Sequence, residues 1–200
     1  MNFNLIYESF LDILKGLGAS LEIIILSLFL GLLLSVGIVM MRLTKNIILN
    51  SFSRSFVFVI RGTPLLVQIY FIYYGLAQFT AIRESFIWIV LKEPFWCGVL
   101  ALTINTSAYT SEIIRSGLNS IIKGQAESAV AFGMNKFQAF KRILLPQAIR
   151  QSIPAYSNEI ILMIKASSLV SVITIMEMTG IARKIISKTF RINHLIFPYL

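Results

Sequence analysis

The chain has 200 residues, of which 56% are hydrophobic and 14% charged, and its mean hydropathy is +0.79. A water-soluble domain needs a charged exterior, so this composition excludes an ordinary soluble globule and predicts a protein that lies in lipid. The net charge of +9 does not indicate nucleic-acid binding, because the basic residues lie in short connections between apolar blocks. One cysteine and one histidine exclude a disulfide framework and a cysteine–histidine metal site.

Four apolar segments of about 20 residues predict membrane-spanning helices. They cover residues 20–41, 56–79, 94–111 and 153–175. Arg61-Gly62-Thr63-Pro64 interrupts the second segment, and proline disfavours helix at the residue before it, so we expect a break with helix resuming near Pro64. A polar connection over 176–194 is followed by apolar residues 195–200, which predict the start of a fifth span in a truncated chain.

Basic residues predict the orientation of these spans. The connection 42–61 carries four Lys and Arg residues and no acid, and the connection 112–150 carries six against two acids. Both are therefore expected in the cytoplasm, with the amino terminus outside. The connection 176–194 disagrees, since it would be external with four basic residues and one acid, but two connections outweigh one.

The connection 122–148 is too polar to span a membrane and too regular for an unstructured loop. A short helix is predicted over Gln125–Phe132, a bend at Gly133, and a second amphipathic helix that ends at Pro146. The apolar face of the second helix carries Phe137, Phe140, Ile143 and Leu144. Such a pair of helices suits either the lipid headgroup region or a groove on a soluble partner, and composition does not decide between them.

The same segment resembles the EAA loop of ABC importer permeases. The matching positions are Glu127, Ser128, Ala129, Gly133 and Leu145-Pro146, with serine in place of the motif's first alanine. The stretches RGTPLLVQ at 61–68, SAYTSEIIRSGLNSI at 107–121 and KASSLVSVI at 165–173 are similar to the polar amino acid permeases of that family. The similarity covers roughly residues 10–200.

This resemblance implies an all-α, polytopic membrane helix bundle, the MetI-like transmembrane domain of a type I ABC importer. It implies a single domain over residues 1–200 with about five spanning helices, in the bacterial cytoplasmic membrane. The implied activity is translocation of polar amino acids by alternating access. The implied partners are ABC ATPase subunits, a second permease copy or paralogue, and an extracytoplasmic solute-binding protein.

The resemblance also implies that the chain itself is not an enzyme. ATP and Mg would be bound by the partner ATPase, and the sequence has no Gly-rich phosphate loop ending in Lys-Ser/Thr. The residues implied to couple the ATPase to the membrane helices are Glu127, Ser128, Ala129, Gly133, Phe137, Phe140, Leu145 and Pro146.

Polar residues inside the spans are candidates for the solute path, because burying them in lipid is costly. They are Gln68, Asn158, Glu159, Lys165 and Ser168. Lys165 could attract a carboxylate and Glu159 an ammonium group, or both could form ion pairs between helices or snorkel to the membrane surface. For Asn158, a hydrogen bond between helices is favoured over contact with the solute. Glu112 and Arg115, three residues apart, are predicted to pair on a helix surface.

Two other classes of protein also suit a bundle of apolar helices. A channel or secondary transporter would explain the spans and the buried charges, but not the patterned pair of helices in 122–148. A membrane-embedded enzyme would need convergent catalytic residues, for which one histidine and one cysteine leave little choice.

Overall fold

The computed structural model describes residues 3–121 and 123–196, and the regular structure in these ranges is helical throughout. The α-helices are α1 Phe3–Lys15, α2 Leu17–Leu43, α3 Ile47–Gly62, α4 Leu65–Tyr70, α5 Thr80–Arg83, α6 Trp88–Leu91, α7 Pro94–Asn119, α8 Lys123–Ala131, α9 Lys136–Ala139, α10 Leu145–Ala166 and α11 Met178–Ile196. Two π turns, Phe71–Gly75 and Phe140–Leu144, and two 3-10 segments, Leu76–Gln78 and Ser167–Ile173, extend them.

Two helical stretches in the described part of the chain are long and apolar enough to cross a membrane, Ile6–Leu43 and Lys136–Ile173. There are three if Ile47–Gly62 and Leu65–Gln78 count together as one broken span. The predicted break falls between them, at Thr63-Pro64. The spans predicted at 94–111 and 195–200 remain predictions, and residues 197–200 lie outside the described residues.

The chain divides into two compact units, of which the first combines the residues up to Ser27, Leu65–Leu102 and the residues from Ile164 onward. In this unit α1 packs against α11, and α4 packs against the 3-10 segment Ser167–Ile173. A carboxylate fixes the start of α11: Glu177 is 2% exposed and accepts hydrogen bonds of 2.8 Å from the backbone of Thr179 and Gly180. These bonds satisfy amides that the first turn of a helix leaves unpaired.

The second unit combines Leu28–Pro64 with Thr103–Met163. Its apolar core is centred on Ile38, Val57 and Ala108. Two glycines allow close packing of the helices, since a Cβ at Gly31 would clash with the Thr106 side chain and a Cβ at Gly117 would lie 2.8 Å from the carbonyl oxygen of Ala148.

Pro146 does not end the second amphipathic helix, contrary to the prediction. Helix continues from Lys136 to Ile173, so α9, the π turn and α10 form one element. In the π turn the amide of Leu145 donates to the carbonyl of Phe140, five residues back. A proline ring crowds the preceding turn of a helix, and proline has no amide hydrogen to donate. The π turn just before Pro146 widens the helix at this point, so that the helix continues through the proline.

The polar connection predicted over 176–194 is mostly helical, as α11, and its place between two spans stays a prediction. Ile181 and Ile185 are half-buried, whereas Arg183, Lys184 and Lys188 are exposed. The segment is therefore an amphipathic helix whose apolar side faces the protein.

Candidate functional site

The bend predicted at Gly133 is present and separates α8 from α9. Gly133 has φ +81°, a conformation that glycine adopts at low cost. Its amide donates to the carbonyl of Val130 at 2.9 Å, and the amide of Met134 donates to the carbonyl of Ala129 at 3.0 Å. This pair of hydrogen bonds is the Schellman motif, which ends a helix and satisfies its last carbonyls.

A second capping motif, which the sequence analysis missed, starts α9 immediately after the bend. The Asn135 side chain accepts from the Gln138 amide at 2.8 Å, and the Gln138 side chain accepts from the Asn135 amide at 3.1 Å. This reciprocal capping box has a sequence signature, a capping residue followed three positions later by Glu or Gln. Residues 123–144, called the helical knob below, are therefore defined by local hydrogen bonds on both sides of Gly133.

The predicted coupling residues fall into two groups. Ala129 is 3% exposed, as is Ala139 on the facing helix, so these small side chains allow α8 to pack closely on α9. Glu127 and Ser128 are exposed, and so are Leu145 and Pro146. The motif thus combines residues that shape the knob with residues that its surface presents.

The surface of the knob carries large apolar side chains. Phe132 is 87% exposed, Phe137 72% and Phe140 37%. Beside them is a groove of about 640 Å³, lined by Glu127, Val130, Ala131, Lys136, Ala139 and Leu144. Exposed aromatic side chains next to an apolar groove are typical of a surface that binds a partner.

Glu159, a predicted solute contact, lies in the interior of the second unit. It is 7% exposed, and the Thr106 hydroxyl donates to its carboxylate at 2.9 Å. Thr103 and Thr110 lie on the same face of α7 as Thr106, and their buried hydroxyl oxygens have no hydrogen-bond partner among the described residues. We call Thr103, Thr106 and Thr110 the threonine track. The sequence analysis missed it, although the spacing of three and four residues in an apolar helix was a usable signal.

Gln68 and Ser168 are carried by two elements of the first unit that pack together. Gln68 is buried in α4, and Ser168 is half-buried in the 3-10 segment against which α4 packs. The Ser168 hydroxyl donates to the carbonyl of Lys165 at 2.8 Å. The side chains of Asn158 and Lys165 are exposed, and Asn158 forms no side-chain hydrogen bond within the part of the chain that the structure describes. The roles predicted for these residues stay predictions.

Charged residues cluster near the junction of α2, α3 and α7 in the second unit. Arg42 pairs with one carboxylate oxygen of Glu112, and Arg115 donates to the other oxygen at 2.7 and 3.0 Å. The predicted pair of Glu112 and Arg115 is thus present, with Arg42 as a third member. The Arg61 guanidinium lies 5.1 Å from the centre of the Tyr109 ring, within the range of a cation–π contact.

Comparison with known families identifies this arrangement of helices. The model of a family described as the inner membrane component of binding-protein-dependent transport systems matches residues 27–198. The chain belongs to this family. The family predicted from the EAA loop and the all-α fold are both confirmed, and the members of this family are membrane subunits without a catalytic role of their own.

Three named relatives share between 36% and 50% of the residues compared. The octopine transport system permease protein OccM of Rhizobium radiobacter is 50% identical over 93% of this chain and 76% of its own length. The nopaline transport system permease protein NocM of Agrobacterium fabrum is 49% identical over 95% of this chain and 79% of its own length. The arginine ABC transporter permease protein ArtM of Escherichia coli K12 is 36% identical over 92% of this chain and 83% of its own length.

Two solved structures share the fold. A chain in the crystal structure of an amino acid ABC transporter with histidines superposes with a TM-score of 0.84 and 36% identity, over 95% of this chain and 85% of that one. A chain of the inward-facing MetNI methionine ABC transporter gives a TM-score of 0.57 at 15% identity, over 86% of this chain and 77% of that one. The second similarity concerns the fold alone.

Proposed function

We propose that this chain forms part of the membrane pathway of an ATP-driven importer for polar amino acids or opines, with the helical knob as the surface that engages the ATPase. The observation that carries the proposal is the continuous helix from Lys136 to Ile173, which joins the knob to the interior of the second unit. Phe137 on the knob and Glu159 among the buried hydroxyl groups lie on this one element, about 33 Å apart along its axis. A displacement of the knob would therefore move the residues proposed to face the solute.

The exposed surface of the knob supports docking to a soluble subunit. Glu127 provides a negative charge at the edge of a groove, and Phe132 and Phe137 provide apolar area for a partner to cover. Aromatic residues of this kind contribute most of the energy of many interfaces. Membership of this family implies two partners, a solute-binding protein and an ATPase that would bind ATP and Mg. This chain would convert closure of the ATPase into a change of helix packing.

Pairing with a second permease is part of the proposal. Ile161, Ile164 and Lys165 on α10 are exposed in the single chain. A second copy or a paralogue that covers this face would enclose Lys165 in a shared pathway. The proposed orientation has the knob in the cytoplasm and the amino terminus outside.

The proposed solute carries a basic side chain together with a carboxylate. The relatives are named for octopine, nopaline and arginine, and the solved transporter chain of similar sequence was crystallised with histidines. Glu159 supplies a buried negative charge and the threonine track two hydroxyl groups with free hydrogen-bonding capacity. These groups suit an ammonium, imidazolium or guanidinium group. Attraction of a carboxylate by Lys165 stays a separate prediction.

Uptake by the reconstituted complex tests the proposal. The permease, its ATPase and its solute-binding protein would be placed in proteoliposomes and supplied with labelled arginine, histidine, octopine, glutamine and leucine. We expect ATP-dependent uptake of at least one basic solute and no uptake of leucine. Uptake that persists without ATP or without the ATPase subunit would instead indicate a channel or secondary transporter.

A further inference from the structure

A basic cavity lies within the second unit, where α3 meets the end of α2 and the middle of α7. Its volume is about 840 Å³, and its lining includes Arg42, Arg54 and Arg61 with one acid, Glu112. This volume is in the range of cavities that hold small-molecule ligands, about 300 to 1,000 Å³. None of the residues that line the cavity belongs to the threonine track or to the helical knob, although Arg61 is close enough to Glu159 for their charges to interact.

Three arginines and one acid line the basic cavity, so positive charge is in excess there. Glu112 is engaged by Arg42 and by Arg115 outside the cavity. Arg54 and Arg61 form no salt bridge among the described residues. Arg61 contacts the Tyr109 ring and interacts at longer range with the carboxylates of Glu112 and Glu159, but neither carboxylate occupies its hydrogen-bonding fork. Two guanidinium groups are therefore available to an anion, and the planar fork of arginine suits a phosphate.

The rim of the cavity indicates an anion that also carries apolar chains. Arg54, Phe58 and Arg61 are spaced four and three residues apart and share one face of α3. Phe58 is 80% exposed, and the neighbouring Val59 is 54% exposed. A helix face that presents basic and large apolar side chains together is typical of contact with the interfacial region of a membrane. A soluble anion would gain nothing from this apolar area.

We propose that the basic cavity binds the phosphate of an anionic phospholipid headgroup, with Arg54 and Arg61 as the phosphate ligands and Phe58 against the acyl chain. Basic pockets between membrane helices are suited to such headgroups. The same ligands could accept free phosphate from solution, and the apolar rim favours the lipid as the source. This binding is independent of the solute that the importer carries, so a failure of one proposal leaves the other standing.

Lipid titration of the intact permease–ATPase complex in neutral detergent, followed by native mass spectrometry, tests the proposal. The probes are dioctanoyl phosphatidylglycerol, dioctanoyl phosphatidylcholine and inorganic phosphate. We expect the phosphatidylglycerol to bind most tightly, and the double variant Arg54→Gln/Arg61→Gln to bind it about 30-fold more weakly. Comparable affinity for phosphatidylcholine would overturn the proposal, as would displacement of the lipid by millimolar phosphate.

Two further variants separate the site from a general effect of charge or folding. Arg150→Gln removes one exposed positive charge of the same unit, away from the cavity, and should leave phosphatidylglycerol binding unchanged. Arg54→Lys keeps the charge and should retain binding to within about tenfold while losing the bidentate geometry. An equal loss of binding in Arg150→Gln and in the double variant Arg54→Gln/Arg61→Gln would contradict a defined site on α3.

Discussion

The helical knob and the threonine track differ in how the protein determines their structure. The knob is held by hydrogen bonds between residues a few positions apart, namely the Schellman bonds at Gly133 and the capping box of Asn135 and Gln138. The track depends on a bond between residues 53 positions apart, from Thr106 to Glu159. The knob is exposed and the track is buried.

This contrast indicates where each region is vulnerable. A locally determined structure such as the knob unfolds when a single residue can no longer adopt its backbone conformation. This holds even where few side chains surround that residue. A buried polar group depends on its charge and hydrogen-bond partners, because an unpaired polar group in a low-dielectric interior is costly. Substitutions that change only one of these properties therefore test the two regions separately.

The largest effect is expected from Gly133→Pro. Proline requires φ near −65° instead of +81° and removes the amide that bonds to Val130, so the end of α8 cannot form. A cost of about 3 kcal/mol or more predicts at least a hundredfold loss of ATPase recovered with the purified permease. The amount of permease inserted in the membrane should not change, because Gly133 lies outside every described stretch that is long and apolar enough to cross a membrane.

Gly133→Asn is the matched control for this variant. A Cβ at this position meets open space, and asparagine tolerates the left-handed conformation better than other side chains do. ATPase recovery should therefore stay within about fivefold of the parent. Equal ATPase recovery with Gly133→Pro and with the parent chain would remove the knob from the coupling interface.

An intermediate effect is expected from Glu159→Gln, which removes the charge but keeps an oxygen that can accept the Thr106 hydrogen bond. If the carboxylate attracts a basic solute, arginine uptake should fall about tenfold, the usual scale for one charge-assisted interaction. Glutamine uptake should change little. The measurement is the ratio of the two initial rates in proteoliposomes.

Thr106→Val separates this interpretation from a purely structural role. The substitution removes the hydroxyl that donates to Glu159 but keeps the charge, so the preference for arginine over glutamine should persist. A fall of equal size for both solutes in Glu159→Gln would indicate that the carboxylate only holds α7 against α10.

The same contrast explains which features were predictable from the sequence. Gly133 and the small residues before it form a motif within seven positions, and the break at Thr63-Pro64 follows from proline itself. Local chemistry determined both features. The continuation of helix through Pro146 was not predictable, because it depends on a π turn whose hydrogen bond from Leu145 to Phe140 has no clear sequence signature.

Long-range features were the least predictable. Glu177 appeared in the sequence as one acid in a basic connection, whereas the structure buries it at the start of α11, where the Ser20 hydroxyl donates to it at 3.4 Å. The contact of Arg42 with Glu112 joins residues 70 positions apart. Composition indicated that these charges exist, but only the packing of the helices determines which of them meet.

The smallest effect is expected from Asn135→Ala, which tests whether the knob is as locally determined as its hydrogen bonds suggest. Loss of a capping side chain costs about 1 kcal/mol, so amide exchange in the first turn of α9 should become about fivefold faster. Asn135→Ser, which keeps a capping oxygen, should restore most of the protection. Hydrogen exchange in the threonine track should not change in either variant, because the capping box bonds no residue outside the knob. Faster exchange around Thr106 would show instead that the two regions unfold as one cooperative unit, and the distinction between a local and a long-range structure would then be wrong.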